Sequence, residues 1–578
     1  MTLNSTGLGI GTISPAANLH AAGNALVTGN LSIGTLLSSA NIGVSGTFGQ
    51  SSKTLSSNAT LSDHSLYFID TSAGNLNLIL PQASVCSGRM ITVKKITTSN
   101  NVIIIDHANA DIEGQGYVVL DSSSTPYPTI QFLSNGSAWY ITNRSTGASS
   151  VAQAGFITTW KTDDQSGSGN TGSTQIKLPI YSGGTYNFQV FWGDGSFDTV
   201  TAYNGAGNTH TYSVAGTYKV RIVGTCWGWQ FMDTYDRKKL YNIQQWGSDF
   251  RLVNAVGAFR GCNNLTITAT DNLNLTGSTS LTQLFYDCTS LTTAPTMALW
   301  NTSAITTMNS TFRGCSIFNQ PINNWDTGNV TNLYYLFAGC STFNQPLNNW
   351  NSANVNILEG TFASCGNFNQ SLDTWNTGKV TTLKNCFGKC TTFNQPLNNW
   401  NTANVTTLKN IFQECINFNQ PLNSWDTRKV TELNYAFSEC AAFNQPLNNW
   451  NSANVINMEY IFSVCTVFNQ DLSTWNVNAV TSFRGAFNKA YAFKQNLSSW
   501  TPTSATDMTS MFLNIDMNAT GTTTNYDALL NSWGAQGSLP SGMTFSGGSS
   551  KYSAAASGSR AVLTGTKGWT ITDGGLLP

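Results

Sequence analysis

The chain runs to 578 residues, too many for one core, so several domains are expected. Charged residues make up 10% of it and the net charge is −1, whereas an ordinary globular chain is about one quarter charged. Asn, Thr, Ser and Gly fill the gap, leaving a hydrogen-bonding, nearly neutral surface with no electrostatic footprint for nucleic acid or anionic lipid. No stretch approaches the ~18 apolar residues of a membrane span, so no membrane insertion is expected.

The first segment, 1–55, begins "MTLNSTGLGIGTISPAANLH", with neither a basic start nor an apolar run, and is not read as a secretory signal. If the protein works outside a cell, the expected route is lysis or virion assembly. The segment is too polar to bury a core alone, so trimerisation or docking must supply the burial. Its stretch "GLGIGTISPAANLHAAGNALVTGNLSIG" resembles the "GIGTxxPxxxLHVxGN" segment of virion fibres and related adhesins, with Ala21-Ala22 where Val is common. That resemblance implies a join between an attachment point and a trimeric β stalk, hence a homotrimer in contact with other virion proteins. No coiled-coil heptad is present to count the chains.

Residues 56–148 hold short alternating strands, "SLYFIDTSAGNLNLILP", "RMITVKKI", "NVIIIDH" and "TIQFLSNGSAWYIT", divided by Gly, Asn and Ser turns. This predicts a compact β domain, and the pattern from "LILP" to "SNGSAWYI" resembles a module of phage tail fibres. In 149–226, "YNFQVFWGDGSFDTV" and "HTYSVAGTYKVRIVG" alternate as half-buried strands, with Trp192-Gly193-Asp194-Gly195 as the turn. The pair resembles a polycystic-kidney-disease (PKD) type β-sandwich. Asp194 is read as a hydrogen-bonded turn residue in preference to a metal ligand or catalytic acid.

From 227 to 520 the sequence repeats every 25 residues. Trp recurs from Trp300 to Trp500, Phe from Phe312 to Phe512 and Cys from Cys315 to Cys465, all at that interval. Such a period predicts a solenoid, in which each unit buries its apolar face against its neighbours. In "NVTNLYYLFAGC", Val330, Leu333, Phe337 and Cys340 are three, four and three apart, which predicts a helix of about three turns ending near Gly339. Pro346 then forbids helix, and Phe343, Leu347 and Trp350 return to the core. Periodic thiols are packing positions, so they are expected reduced and buried. Asn344 and its equivalents are expected to satisfy backbone groups where the coil turns. "FNQPLNNWNTANVTTL..IFQEC" resembles the 25-residue repeat of BspA-like bacterial surface proteins, a leucine-rich-repeat variant, over about Phe259 to Phe512. The resemblance implies a curved right-handed solenoid of α/β leucine-rich type used for surface binding. The tail, 521–578, resembles the segment that closes such arrays; Tyr526, Leu529, Leu530 and Trp533 have helical spacing, and "GWTIT" reads as a final strand.

Catalysis is not expected. His20, His64, His107 and His210 all precede the repeats, which leaves no Ser-His-Asp or Cys-His arrangement and no zinc set within them. The acids of the array are scattered without an obvious pair for glycoside cleavage, and "GIGTIS" lacks the strand, Lys and helix of a phosphate loop. No cofactor and no metal are implied. Binding is better supported, because two positions vary between the repeated core residues. One reads Tyr334, Glu359, Lys384, Lys409, Asn434, Glu459, Arg484; its neighbour reads Tyr335, Gly360, Asn385, Asn410, Tyr435, Tyr460, Gly485. Charged and aromatic residues there suit recognition, so the candidate ligand-binding residues are Tyr334, Tyr335, Lys384, Lys409, Tyr435, Tyr460 and Arg484. The expected role is host-surface binding by a phage tail fibre or spike, to a glycan or protein receptor. A structural or decoration protein of the virion and a bacterial surface adhesin are the alternatives.

Overall fold

The structure is a computed structural model that describes residues 52–577, apart from 63, 74–75, 98–102, 108–111, 113–117, 121–127, 146–147, 150–154, 167–170, 293 and 520. The attachment and stalk reading of 1–55 lies outside the described residues but for its last four. What is described is β-rich, with several sheets, none closed into a barrel. It buries two hydrophobic cores, one from Leu61 to Trp139 and one from Phe156 to Trp569. No helix of the described residues is long and apolar enough to cross a membrane.

In the first core the chain alternates between two sheets. β1 (Ser52–Leu55), β3 (Leu66–Ile69) and β5 (Met90–Lys95) pair in parallel in one. β2 (Ala59–Thr60), β4 (Leu76–Leu80) and β6 (Ile103–His107) do so in the other. β7 (Val118–Leu120) and β10 (Ala148–Ser149) extend the second sheet antiparallel, as β8 (Thr129–Ser134) and β9 (Trp139–Arg144) extend the first. Trp139 is fully buried and its indole N–H donates to the Pro81 carbonyl at 2.8 Å, so its one polar atom is not orphaned.

The second core opens on a seven-stranded sheet in the order β14 (Phe197–Val200), β13 (Thr185–Phe191), β16 (Thr217–Trp227), β11 (Phe156–Lys161), β17 (Leu240–Gln245), β19 (Thr266–Ile267), with β18 (Phe250–Arg251) beside β16. β12 (Gln175–Lys177) and β15 (Thr209–Thr211) form a separate pair. The sheet runs past residue 226 into the stretch assigned to the repeats. Between β13 and β14 the turn is built as expected: Gly193 and Gly195 take φ of 85° and 92°, and Trp192 N–H donates to Ser196 O at 3.1 Å. Asp194 accepts from Ser196 N and Oγ and lies 2.8 Å from His210 Nε2. Burial pushes its carboxyl up, but the Ser196 and His210 hydrogen bonds outweigh this and hold it below its ordinary value. Lys239 and Asp236 are both fully buried and 3.2 Å apart, and the ammonium also donates to the carbonyls of Thr171, Gly172 and Gln175. Burial lowers the Lys239 pKa, yet these acceptors make the charge tolerable.

The predicted helix in each repeat is not there. Each unit is instead a chain of β-turns. Leu336 N–H donates to Leu333 O (3.1 Å), Ala338 to Tyr335 (3.3 Å) and Cys340 to Phe337 (2.8 Å). The alternate N–H groups, of Leu333, Tyr335, Phe337 and Gly339, donate across to the carbonyls of Ile357, Glu359, Thr361 and Ala363 in the next unit, at 2.7–3.1 Å. Half the bonds a helix would keep to itself therefore join neighbouring units. The reason is visible at Tyr335 and Gly339, whose φ of 49° and 79° put the third residue of a turn where helical backbone never goes. Each turn closes on its fourth residue and the next begins two residues on, at Leu333, Tyr335 and Phe337, and such overlapping turns send apolar residues inward at the same three- and four-residue intervals as a helix, so spacing alone does not separate the two. Among the described residues, α-helix occurs only in α1 (Thr524–Ala535) and α2 (Ala554–Ala561).

Successive units lie side by side, joined by one parallel bridge per step from Ser280↔Thr307 to Ser482↔Asp507. The expected core residues are buried, and they stack on their equivalents: Phe337 on Phe362 at 5.8 Å, Trp350 on Trp375 at 6.3 Å. Their polar atoms find partners one unit back. Cys340 Sγ–H donates to Phe312 O (3.0 Å) and Trp350 Nε1–H to Ile322 O (3.0 Å). All 12 cysteines are free and buried, and burial pushes the Cys340 thiol well above its ordinary pKa. Asn344 N–H and Gln345 Nε2 both donate to Asn319 Oδ1, at 2.9 and 3.1 Å, and the pattern continues to Lys494, whose N–H donates to Asn469 Oδ1. At the far end α1 buries Tyr526, Leu529, Leu530 and Trp533, and Trp533 Nε1 donates to Trp500 O at 3.0 Å, which ties the helix to the last tryptophan of the array. β20 (Thr544–Ser546) bridges from Met508 to Phe545 and pairs in parallel with β21 (Thr570–Thr572), which covers the last unit.

Candidate functional site

The bridges that join the units put all seven candidate residues on one face, at the two positions that precede each core Phe by three and by two. The later of these is the turn residue at positive φ in every regular unit: Tyr335 (49°), Gly360 (62°), Asn385 (54°), Asn410 (58°), Tyr435 (59°), Tyr460 (52°) and Gly485 (61°). Gly and Asn there need no functional explanation, because both tolerate left-handed backbone. The array also holds Lys389, Glu414, Glu439 and Val464 at positive φ, so the conformation belongs to the fold; what is particular to the tyrosines is the aromatic bulk they place at this position.

Tyr335 lies down over the next unit. A Cβ on Gly360 would sit 2.6 Å from its ring, and the Arg313 guanidinium lies 4.9 Å from the ring centroid. Tyr334 meets it edge-on at 4.6 Å. Tyr435 stacks on Tyr460 at 5.0 Å and 21°; Tyr460 covers Gly485 as Tyr335 covers Gly360, and Arg484 Nε is 3.3 Å from the Tyr460 hydroxyl. Between these aromatic ends, four steps of about 4.8 Å apart, lie the small residues Gly360, Asn385 and Asn410 with Lys384 and Lys409 beside them. Lys384 pairs with Glu359 at 3.0 Å, a hydrogen bond that raises the Lys384 pKa. The structure thus brings together Tyr334 with Tyr335, and Tyr435 with Tyr460 and Arg484. Lys384 and Lys409 sit on adjacent units between the two groups, joined through the bond from Asn385 N–H to Lys409 O (2.9 Å).

The family described as "Mycoplasma protein of unknown function, DUF285" matches residues 253–375, 356–463 and 422–526. The repeat array is similar to that family. The three overlapping matches cover just under half of the chain and are consistent with a BspA-like repeat surface protein. No curated protein matches this chain.

Sequence reasoning missed a second group on the same array. Arg260 and Arg313 flank the ring of Tyr286 at 4.5 and 5.3 Å, and Arg260 pairs with Asp233. These residues follow each core Phe by one, in units whose Phe residues are 26 and 27 apart, so the fixed interval did not align them with the rest. It also passed over Asn410 and Asn434, whose side-chain oxygens are buried without a hydrogen-bond partner. Nothing in the sequence marks an unpaired oxygen.

Proposed function

We propose that this chain binds a host cell surface as a phage tail fibre or spike, and that its repeat array is a leucine-rich-type solenoid whose turn face makes the contact. The observation that carries the reading is the set of three tyrosines, Tyr335, Tyr435 and Tyr460, held at positive φ on one face. The fold does not require them, since Gly and Asn fill the same position elsewhere. In this reading 149–226 is a PKD-like module, the 56–148 block and the polar N-terminal segment belong to the fibre, and the chain trimerises and docks on other virion proteins through that segment. The role is recognition and not catalysis. The match to a Mycoplasma family favours a second reading, a bacterial surface adhesin that uses the same face.

The test is binding of labelled full-length protein to candidate host cells beside the triple variant Tyr335→Ala, Tyr435→Ala, Tyr460→Ala. Saturable binding that the folded variant loses is the expected result. No binding by the folded parent would turn the reading to a structural protein whose repeats face other subunits.

A further inference from the structure

Between Phe259 and Phe512 the array carries four arginines, and three of them have a polar partner. Arg260 pairs with Asp233, Arg428 with Asp426, and Arg484 meets the Tyr460 hydroxyl. Among the described residues Arg313 has none: its guanidinium makes neither a hydrogen bond nor an ion pair. Rings hold it instead. Arg313 stands one unit after Tyr286 and one before Tyr335, and its guanidinium carbon lies 5.3 Å and 4.9 Å from the two ring centres. Contact of this kind restrains the side chain and uses none of its five N–H donors. Arg313 is partly exposed, and none of its nitrogens is closed off from solvent. The same is true of the Tyr334 and Tyr335 hydroxyls, which have no hydrogen-bond partner among the described residues and are not buried. The fold does not demand an arginine here, because the next three units place Ala338, Ala363 and Gly388 at the same position.

We infer that Arg313, with the Tyr334 and Tyr335 hydroxyls, forms a subsite for one acidic sugar residue, whose carboxylate sits on the guanidinium. The planar fork of N–H donors matches a carboxylate through two parallel bonds. The phenol hydroxyls, each both donor and acceptor, answer the hydroxyls of the sugar ring. Charge narrows the class further. Arg260, the other cation of this group, is already engaged by Asp233 and Gln283. Asp287 bonds Arg313 through the backbone alone, its N–H donating to Arg313 O at 2.7 Å, and its carboxyl makes no ion pair with the guanidinium. One unanswered positive charge beside an acid suits a single carboxylate and disfavours a phosphate dianion. The subsite rests on the surface-binding reading above and names its ligand class. A glutamate-rich peptide is the competing occupant, since it brings carboxylates without ring hydroxyls.

The test is calorimetry on full-length protein with sialyllactose, trigalacturonic acid and a hyaluronan tetrasaccharide, each beside its methyl ester, and with a tetraglutamate peptide. The expected result is saturable binding of at least one sugar acid, weaker in high salt, with its ester bound about tenfold less tightly or worse. Arg313→Gln should lose as much, the scale of one charge-assisted hydrogen bond. Arg313→Lys, which keeps the charge without the fork, should recover only part of it. Tyr335→Phe keeps the ring that holds Arg313 and removes one hydroxyl, so it should weaken the acid and its ester alike; it also serves should the Arg313 variants fail to fold. Binding of no sugar acid, equal binding of acid and ester, or binding indifferent to Arg313→Gln overturns the subsite. Binding of the peptide alone overturns it too and gives the charge to a peptide partner. Cell binding that survives Arg313→Gln but not the triple tyrosine variant would sink the subsite and spare the receptor reading. Sugar-acid binding that depends on Arg313, without any cell binding, would do the reverse.

Discussion

Gly360 and Gly339 both hold positive φ, 62° and 79°, but they meet different surroundings. An added Cβ at Gly339 finds nothing nearer than Gly314 at 3.5 Å, whereas at Gly360 it lands 2.6 Å from the Tyr335 ring. Gly339→Ala should therefore cost only the backbone term, about 1–2 kcal/mol. Gly360→Ala should cost more, and in a Tyr335→Ala background the excess should vanish; urea unfolding of the parent, the three single variants and the double variant measures it. Equal costs at the two glycines would mean that Tyr335 does not lie on Gly360. The same comparison shows what the sequence could and could not say about the site. The seven candidate residues were legible as variation within a repeat. Their conformation was not, because Tyr at 335, 435 and 460 gives no hint of left-handed backbone, and the Gly and Asn that do hint at it stand in the same column only as variation between repeats.

Within one unit, the Asn that follows Phe is the element's fastening. Asn394 Oδ1 accepts from Asn419 N–H and Gln420 Nε2, both at 3.0 Å, so Asn394→Ala orphans a backbone donor in the next unit. The expected loss is about 1–3 kcal/mol. Exposed Asn398, whose only side-chain hydrogen bond from its own amide is a 3.4 Å contact to Asn399, should tolerate Ala to within about 0.5 kcal/mol. Denaturant midpoints of the two variants check the contrast. This role was legible in advance, since a column of amides stacked at a turn has few other uses. The helix was the misreading. Val330, Leu333, Phe337 and Cys340 fit a 3.6-residue period and a series of overlapping β-turns equally well, and only hydrogen bonds that leave the unit tell the two apart. α1 lacks that ambiguity: Tyr526, Leu529, Leu530 and Trp533 sit in a segment with neighbours on one side only, and the expected helix is present.

Across the molecule, every regular unit makes the same contacts to the unit before and the unit after. Removing one whole unit, 376–400, should leave a folded protein with nearly unchanged melting temperature, because Trp375 would meet Asn401 as it now meets Asn376. Removing 521–578 should be far more damaging, since it uncovers Trp500 and Phe512 and strips the partner of the last ladder edge. Thermal melts and light scattering of both deletions decide; comparable destabilisation would contradict the cap. Equivalence of units also has a cost during folding. A half-formed stack can accept the wrong neighbour, one period early or late, and bury almost the same rings with almost the same bonds. Two departures from the period lift that degeneracy. The step from Phe285 to Phe312 is 27 residues, and Lys494 replaces the Asn that every preceding unit from 319 onward offers to its successor, turning its ammonium to the carbonyl of Asp516. These irregular sites act as punctuation: they tell an otherwise uniform text where to start and stop, and repairing them to consensus should yield a chain that refolds more slowly through out-of-step intermediates.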